Sequence, residues 1–132
     1  VKSLIALLLA AALSTASAHT DVTVVSPTST LPVTAPKTVQ LRFAEPVNLR
    51  FATFRVLPMP SGKTPAEAAK LALALKPDSS QLVNLAPVAS GMAATLSLPL
   101  KPNLKAGSYL IAWAVLSDDG HPVGGHSLFR VR

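Results

Sequence analysis

The first apolar stretch of the chain has no periodicity. Lys2 precedes an unbroken run of ten apolar residues, Leu4 to Leu13, followed by the small and polar Ser14-Thr15-Ala16-Ser17-Ala18. A basic start, a short apolar run and an A-x-A ending are the three parts of a secretory signal peptide. The run is too short for a transmembrane anchor, which needs ~20 apolar residues. The expected mature domain spans residues 19–132, begins at His19 and lies outside the cytoplasm.

Beyond Ala18 the pattern shortens and alternates. Val39, Leu41 and Phe43 interleave with Gln40 and Arg42, and Phe129 and Val131 with Arg130 and Arg132. That period of two marks strands with one wet face. Strands are predicted near Val22–Val25, Val39–Phe43, Thr53–Leu57, Leu82–Leu85, Ala94–Leu98, Ser108–Leu116 and Ser127–Val131. Seven short strands separated by turn signals predict an all-β Greek-key sandwich or barrel, immunoglobulin-like or cupredoxin-like. One helix interrupts them. Thr64-Pro65-Ala66-Glu67 supplies an N-cap, a proline at the first helical position and a capping-box glutamate. Good helix formers follow, and Pro77 ends the segment. This insertion, about 64–76, is expected to lie across one sandwich edge.

Composition narrows the chemistry. The 49% hydrophobic content is inflated by the leader, and the rest suits one domain with one core. The absence of cysteine excludes disulfides, zinc-thiolate sites, iron–sulfur clusters and thiol nucleophiles. Twelve prolines cut the chain into short pieces. The net charge of +6 is spread along the chain, with no two Lys or Arg residues adjacent. Nucleic-acid binding usually shows a basic cluster or stacking aromatics. Here the few aromatics, Phe43, Phe54, Tyr109, Trp113 and Phe129, sit in strand-like runs suited to core packing, with Phe51 just ahead of a strand. The charge is therefore assigned to solubility and weak attraction to anionic surfaces, not to nucleic acid.

Few residues remain that can carry chemistry. His19, once it is the first residue, offers both an α-amine and an imidazole nitrogen, which can close a chelate ring on a metal; a histidine that merely follows a cleavage site fits equally. Asp119 and His121, within Ser117-Asp118-Asp119-Gly120-His121-Pro122, are two apart, so an extended segment sends their side chains to one side. Pro122 biases His121 towards that extended conformation. Such a pair can bind a metal or form an Asp–His hydrogen bond that orders a turn. His126 is expected to face solvent, Asp118 to be a turn residue, and Asp21 to be drawn away by strand pairing from Val22. No serine lies in a nucleophile-elbow sequence, so serine catalysis has no support.

Taken together, these features resemble the CopC family of periplasmic copper-binding proteins. The resemblance rests on the leader ending before His19, Phe43-Ala44-Glu45 at a strand end, Tyr109-Leu110-Ile111-Ala112-Trp113 running into Asp118-Asp119-Gly120-His121-Pro122, and the closing Phe129-Arg130-Val131-Arg132. It implies a small Greek-key β-domain holding one Cu(II) through the N-terminal histidine and an Asp-x-His pair, which are His19, Asp119 and His121 here. Glu45 stands where some members have an additional or axial ligand. Nitrogen and carboxylate donors without sulfur suit Cu(II). The resemblance further implies a non-catalytic periplasmic monomer that buffers or carries copper, with a CopD-like inner-membrane importer as partner.

The sequence departs from the best-known members, which carry a methionine-rich Cu(I) loop; only Met59 and Met92 are present. Two other readings stay open. An amine-plus-two-histidine site also resembles the histidine brace of copper monooxygenases, and a metal-free sandwich would serve adhesion or assembly.

Overall fold

The run from Tyr109 to Val115 has no polar alternation, and its surroundings explain why. A computed structural model describes residues 21–28, 31–117 and 119–132. The elements are β1 (Val22–Ser26), β2 (Thr38–Asn48), a 3₁₀ turn at Leu49–Phe51, β3 (Thr53–Pro58), α1 (Pro65–Ala74), β4 (Met92–Pro99), β5 (Gly107–Leu116) and β6 (Pro122–Val131). They form two three-stranded antiparallel sheets, ordered β1-β2-β4 and β3-β5-β6. Successive β5 residues point to opposite faces of the second sheet, and both faces are covered. Tyr109, Ile111, Trp113 and Val115 enter the core between the sheets, against Val39, Leu41, Phe43, Leu96 and Leu98. Leu110 and Ala112 point outwards, under α1. A strand buried on both sides has no place for a polar residue.

The expected all-β sandwich with one short helix is the fold observed. Three features differ from expectation. First, α1 covers the outer face of β3-β5-β6, not an edge. Its alanines Ala68, Ala69 and Ala72 are buried against Leu57, Leu110 and Ala112, and they let the helix approach the sheet closely. Its start is as expected. The Glu67 N–H donates to Thr64 Oγ1 at 3.2 Å and the Thr64 N–H donates to Glu67 Oε2 at 2.9 Å, closing the capping box. At the other end the Arg55 guanidinium reaches the Leu75 carbonyl at 3.4 Å, so the helix finishes on a cation from β3.

Second, Leu82–Leu85 forms no strand. The Val83 N–H donates to the Val56 carbonyl of β3, whereas the Leu85 N–H donates to the Pro99 carbonyl of β4. Between them the Asn84 side chain accepts from the Val56 N–H at 2.7 Å, in place of a backbone partner. The segment ties one sheet to the other, so it makes only a single bridge, Asn84 to Leu100. Third, β2 and β6 are longer than expected. β2 runs on through Pro46 because its pairing with β4 is interrupted between Arg42 and Val47, where no N–H is required.

Register and connections fix which residues share an end of the sandwich. The 3₁₀ turn joins the end of β2 to the start of β3. Antiparallel pairing then puts the start of β1, the start of β4, the end of β5 and the start of β6 beside them. This is the entry end. The connections β1–β2, β4–β5 and β3–α1 leave from the far end.

Candidate metal centre

The entry end holds the turn that joins β5 to β6. Ser117 ends the apolar strand and is the only buried polar residue among those described, 5% exposed. Its N–H donates to the His121 carbonyl and its carbonyl accepts from the Gly120 N–H, both at 2.9 Å. Gly120 sits at φ +81°, a left-handed conformation in the turn between β5 and β6 that glycine adopts without strain. The Ser117 hydroxyl donates to Asp119 Oδ1 and also lies 3.1 Å from the His121 carbonyl. The same Oδ1 accepts from the His121 N–H at 3.3 Å.

The second carboxylate oxygen meets the imidazole. Asp119 Oδ2 is 2.7 Å from His121 Nδ1, with both side chains largely open to solvent. The Asp119 pKa is lowered to about 2, first by the Ser117 hydroxyl and then by the side chain and backbone N–H of His121. Asp119 and His121 therefore converge as expected, but not by strand alternation. Asp119 lies in the turn, and the left-handed Gly120 brings the two side chains together.

The other candidates are arranged differently. His19, Asp118 and residues 1–18, expected to be an export signal, lie outside the described residues. Asp21 gives its carbonyl to the Ala44 N–H at 2.8 Å, so strand pairing takes its backbone, and the chain arrives beside Glu45. Glu45 is exposed in the irregular stretch of β2 at the entry end, the end that also carries the Asp119–His121 turn. His126 is exposed on β6 opposite Ala112, away from that turn. Among the described residues no three His, Cys, Asp or Glu side chains form one metal-holding group. Asp119 and His121 are thus two potential donors side by side, with no third beside them among the described residues. Sequence reasoning gave Ser117 no role; the signal was a polar residue closing a wholly apolar strand.

The donors suit a borderline divalent ion. Two cis donors of a square-planar ion, each ~2.0 Å from it, stand about 2.8 Å apart. The nitrogen and oxygen of this pair already stand 2.7 Å apart.

A CopC-domain family model matches residues 22–132, from β1 to the end of the chain. The chain belongs to the CopC family. Copper resistance protein C of Xanthomonas campestris pv. juglandis is 34% identical over 127 residues, which cover 95% of this chain and 91% of the relative. The crystal structure of CopC from Methylosinus trichosporium OB3b is 27% identical, with 86% of this chain and 93% of that chain covered and a TM-score of 0.56. The structure of PcoC, a methionine-rich copper resistance protein from Escherichia coli, is 25% identical, covers 87% of this chain and 100% of that chain, and has a TM-score of 0.61. The stretch matched by the CopC model includes Glu45, Asp119 and His121.

Proposed function

We propose that this protein is an extracytoplasmic Cu(II) carrier without catalytic activity. It holds one Cu(II) through the α-amine and imidazole of His19 together with Asp119 and His121, and Glu45 is an additional or axial donor. Residues 1–18 direct export and are removed, and residues 19–132 work in the periplasm as a monomer that passes copper to a CopD-like membrane importer. The names of the CopC relatives support copper as the cargo. The observation that supports the site is the close Asp119–His121 pair, held by Ser117 at the end of the sandwich where the chain enters. Cu(II) would displace the hydrogen bond between Oδ2 and Nδ1, with the imidazole turning to aim its lone pair at the ion, and the chain start supplies the remaining nitrogens. Copper heads the divalent affinity order for such nitrogen and oxygen donors.

Three proteins test this reading: the chain beginning at His19, the same chain with one glycine added in front, and His19→Ala. All three should give the same circular dichroism. The first should bind one Cu(II) tightly, with a type-2 EPR signal and nitrogen hyperfine structure. The other two should lose affinity by orders of magnitude, because each removes the N-terminal chelate. A glycine-extended protein that binds Cu(II) as tightly as the first removes His19 from the site.

A further inference from the structure

The lysines that look evenly scattered along the sequence are gathered by the fold. Lys37 precedes β2, and Lys101 and Lys105 belong to the β4–β5 connection. They line two adjoining hollows at the far end, of about 490 and 460 Å³, which share Lys101, Pro102 and Asn103. All three lysines are exposed, neither hollow is lined by a carboxylate, and no ion pair among the described residues involves them. Glu67, near the start of α1, is committed to its capping box. The carboxylates Asp21, Glu45 and Asp119 lie at the entry end.

The hollows are not built to select a small anion. The hydroxyl of Tyr109, which lines one of them, is already given to the Lys105 carbonyl at 2.7 Å. What the end offers is diffuse positive charge on flexible stems, the mode of lysine and not of a bidentate arginine clamp. An apolar residue accompanies it: Leu31, in the β1–β2 connection, is 73% exposed. Lysines at the same end of the sandwich as an exposed leucine suit a surface that is anionic outside and apolar just beneath.

We propose that the far end docks on anionic phospholipid bilayers, with Lys37, Lys101 and Lys105 against the headgroup phosphates and Leu31 at the interface. The ten residues of β5, at ~3.3 Å each, then hold the Asp119–His121 turn about 30 Å from that surface. The proposal does not depend on the copper reading.

The test uses the chain from His19 onward, which carries every described element and lacks the apolar leader. It should sediment with vesicles of phosphatidylcholine mixed with phosphatidylglycerol, and not with phosphatidylcholine alone. Binding should fade between about 0.1 M and about 1 M salt, as the screening length falls from about 10 Å to about 3 Å. Lys37→Gln, Lys101→Gln and Lys105→Gln together should weaken binding about 100-fold, or about fivefold per lysine. Arg42→Gln, Lys70→Gln and Lys76→Gln remove the same charge from other faces and should leave most of the binding. All variants should keep the parent circular dichroism. Four results overturn the proposal: no binding to the mixed vesicles at low salt; equal loss in both triple variants; displacement by inorganic phosphate at constant ionic strength, which makes the hollows a small-anion site; or binding to soluble polyglutamate but not to vesicles, which points to an acidic protein partner.

Discussion

Ser117 sets the geometry of the Asp119–His121 pair, although it is not itself among the proposed donors. Buried at the end of β5, it holds one carboxylate oxygen and both ends of the turn, which leaves the other oxygen for the imidazole. Because its hydroxyl is the largest cause of the low Asp119 pKa, Ser117→Ala should raise that pKa from about 2 towards the ordinary carboxylate range, read by a carboxyl-carbon NMR titration. The sign follows from linkage. A depressed carboxylate adds stability that is present above its unfolded pKa, ~3.9, and is lost as pH falls through about 2. In the variant the gap to the unfolded pKa narrows, so the loss should be smaller and complete at higher pH. An unchanged Asp119 titration would show that Ser117 does not hold the carboxylate. The donors themselves should separate by role in a competition assay for Cu(II). His121→Ala should cost most, since it removes a nitrogen donor, and Asp119→Ala should cost less. Glu45→Gln should cost least, within the ~10–100-fold typical of supporting groups. Equal losses at all three positions would make Glu45 a full equatorial ligand.

At the scale of elements, what the sequence revealed depended on how local the cause was. The start of α1 was readable because Thr64, Pro65 and Glu67 settle it among themselves. Thr64→Ala should therefore cost about 1 kcal/mol in a denaturant titration. The start of β6 was not readable. The last strand is expected from Ser127, yet β6 begins at Pro122 and runs through Gly124-Gly125. The reason lies on the neighbouring strand. Trp113 pairs with Gly125, and its indole lies over the glycine so closely that a Cβ there would stand 2.6 Å from Cζ2. The glycine makes room for the tryptophan and does not end the strand. Gly125→Ala should thus destabilise the protein by about 1–3 kcal/mol and change the Trp113 fluorescence. Gly124→Ala, whose Cβ would meet only the Trp113 carbonyl at 3.4 Å, should do much less. Similar effects at both positions would mean that glycine's general weakness in strands, and not the indole, is the cause. Leu82–Leu85 misled for a related reason: its short apolar run suits a strand, but its backbone partners belong to two different sheets.

For the whole molecule, the crossings between sheets decide what lies together, and no local pattern contains them. Asp119 and His121 meet within one turn, a local event set by Gly120, whereas the gathering of Lys37, Lys101 and Lys105 depends on which end each connection leaves from. The same topology governs the two methionines. Met59 follows β3 at the far end and packs in the cluster under α1, while Met92 opens β4 at the entry end and is 60% exposed. They stand near opposite ends of the sandwich, so they cannot share one ion. Cu(I) prefers soft thioether or thiolate donors, and this chain has no cysteine to substitute for them. A nitrogen and carboxylate centre without a thioether cluster should therefore bind Cu(I) far more weakly than Cu(II). Adding ascorbate to the copper-loaded chain reduces the ion and leaves it among mismatched donors, so a Cu(I) chelator in the same solution should take it up. Met92→Ala should change neither the Cu(II) affinity nor this release. Copper retained against the chelator after reduction, and lost in Met92→Ala, would instead make Met92 a Cu(I) ligand and give the entry end a second donor set.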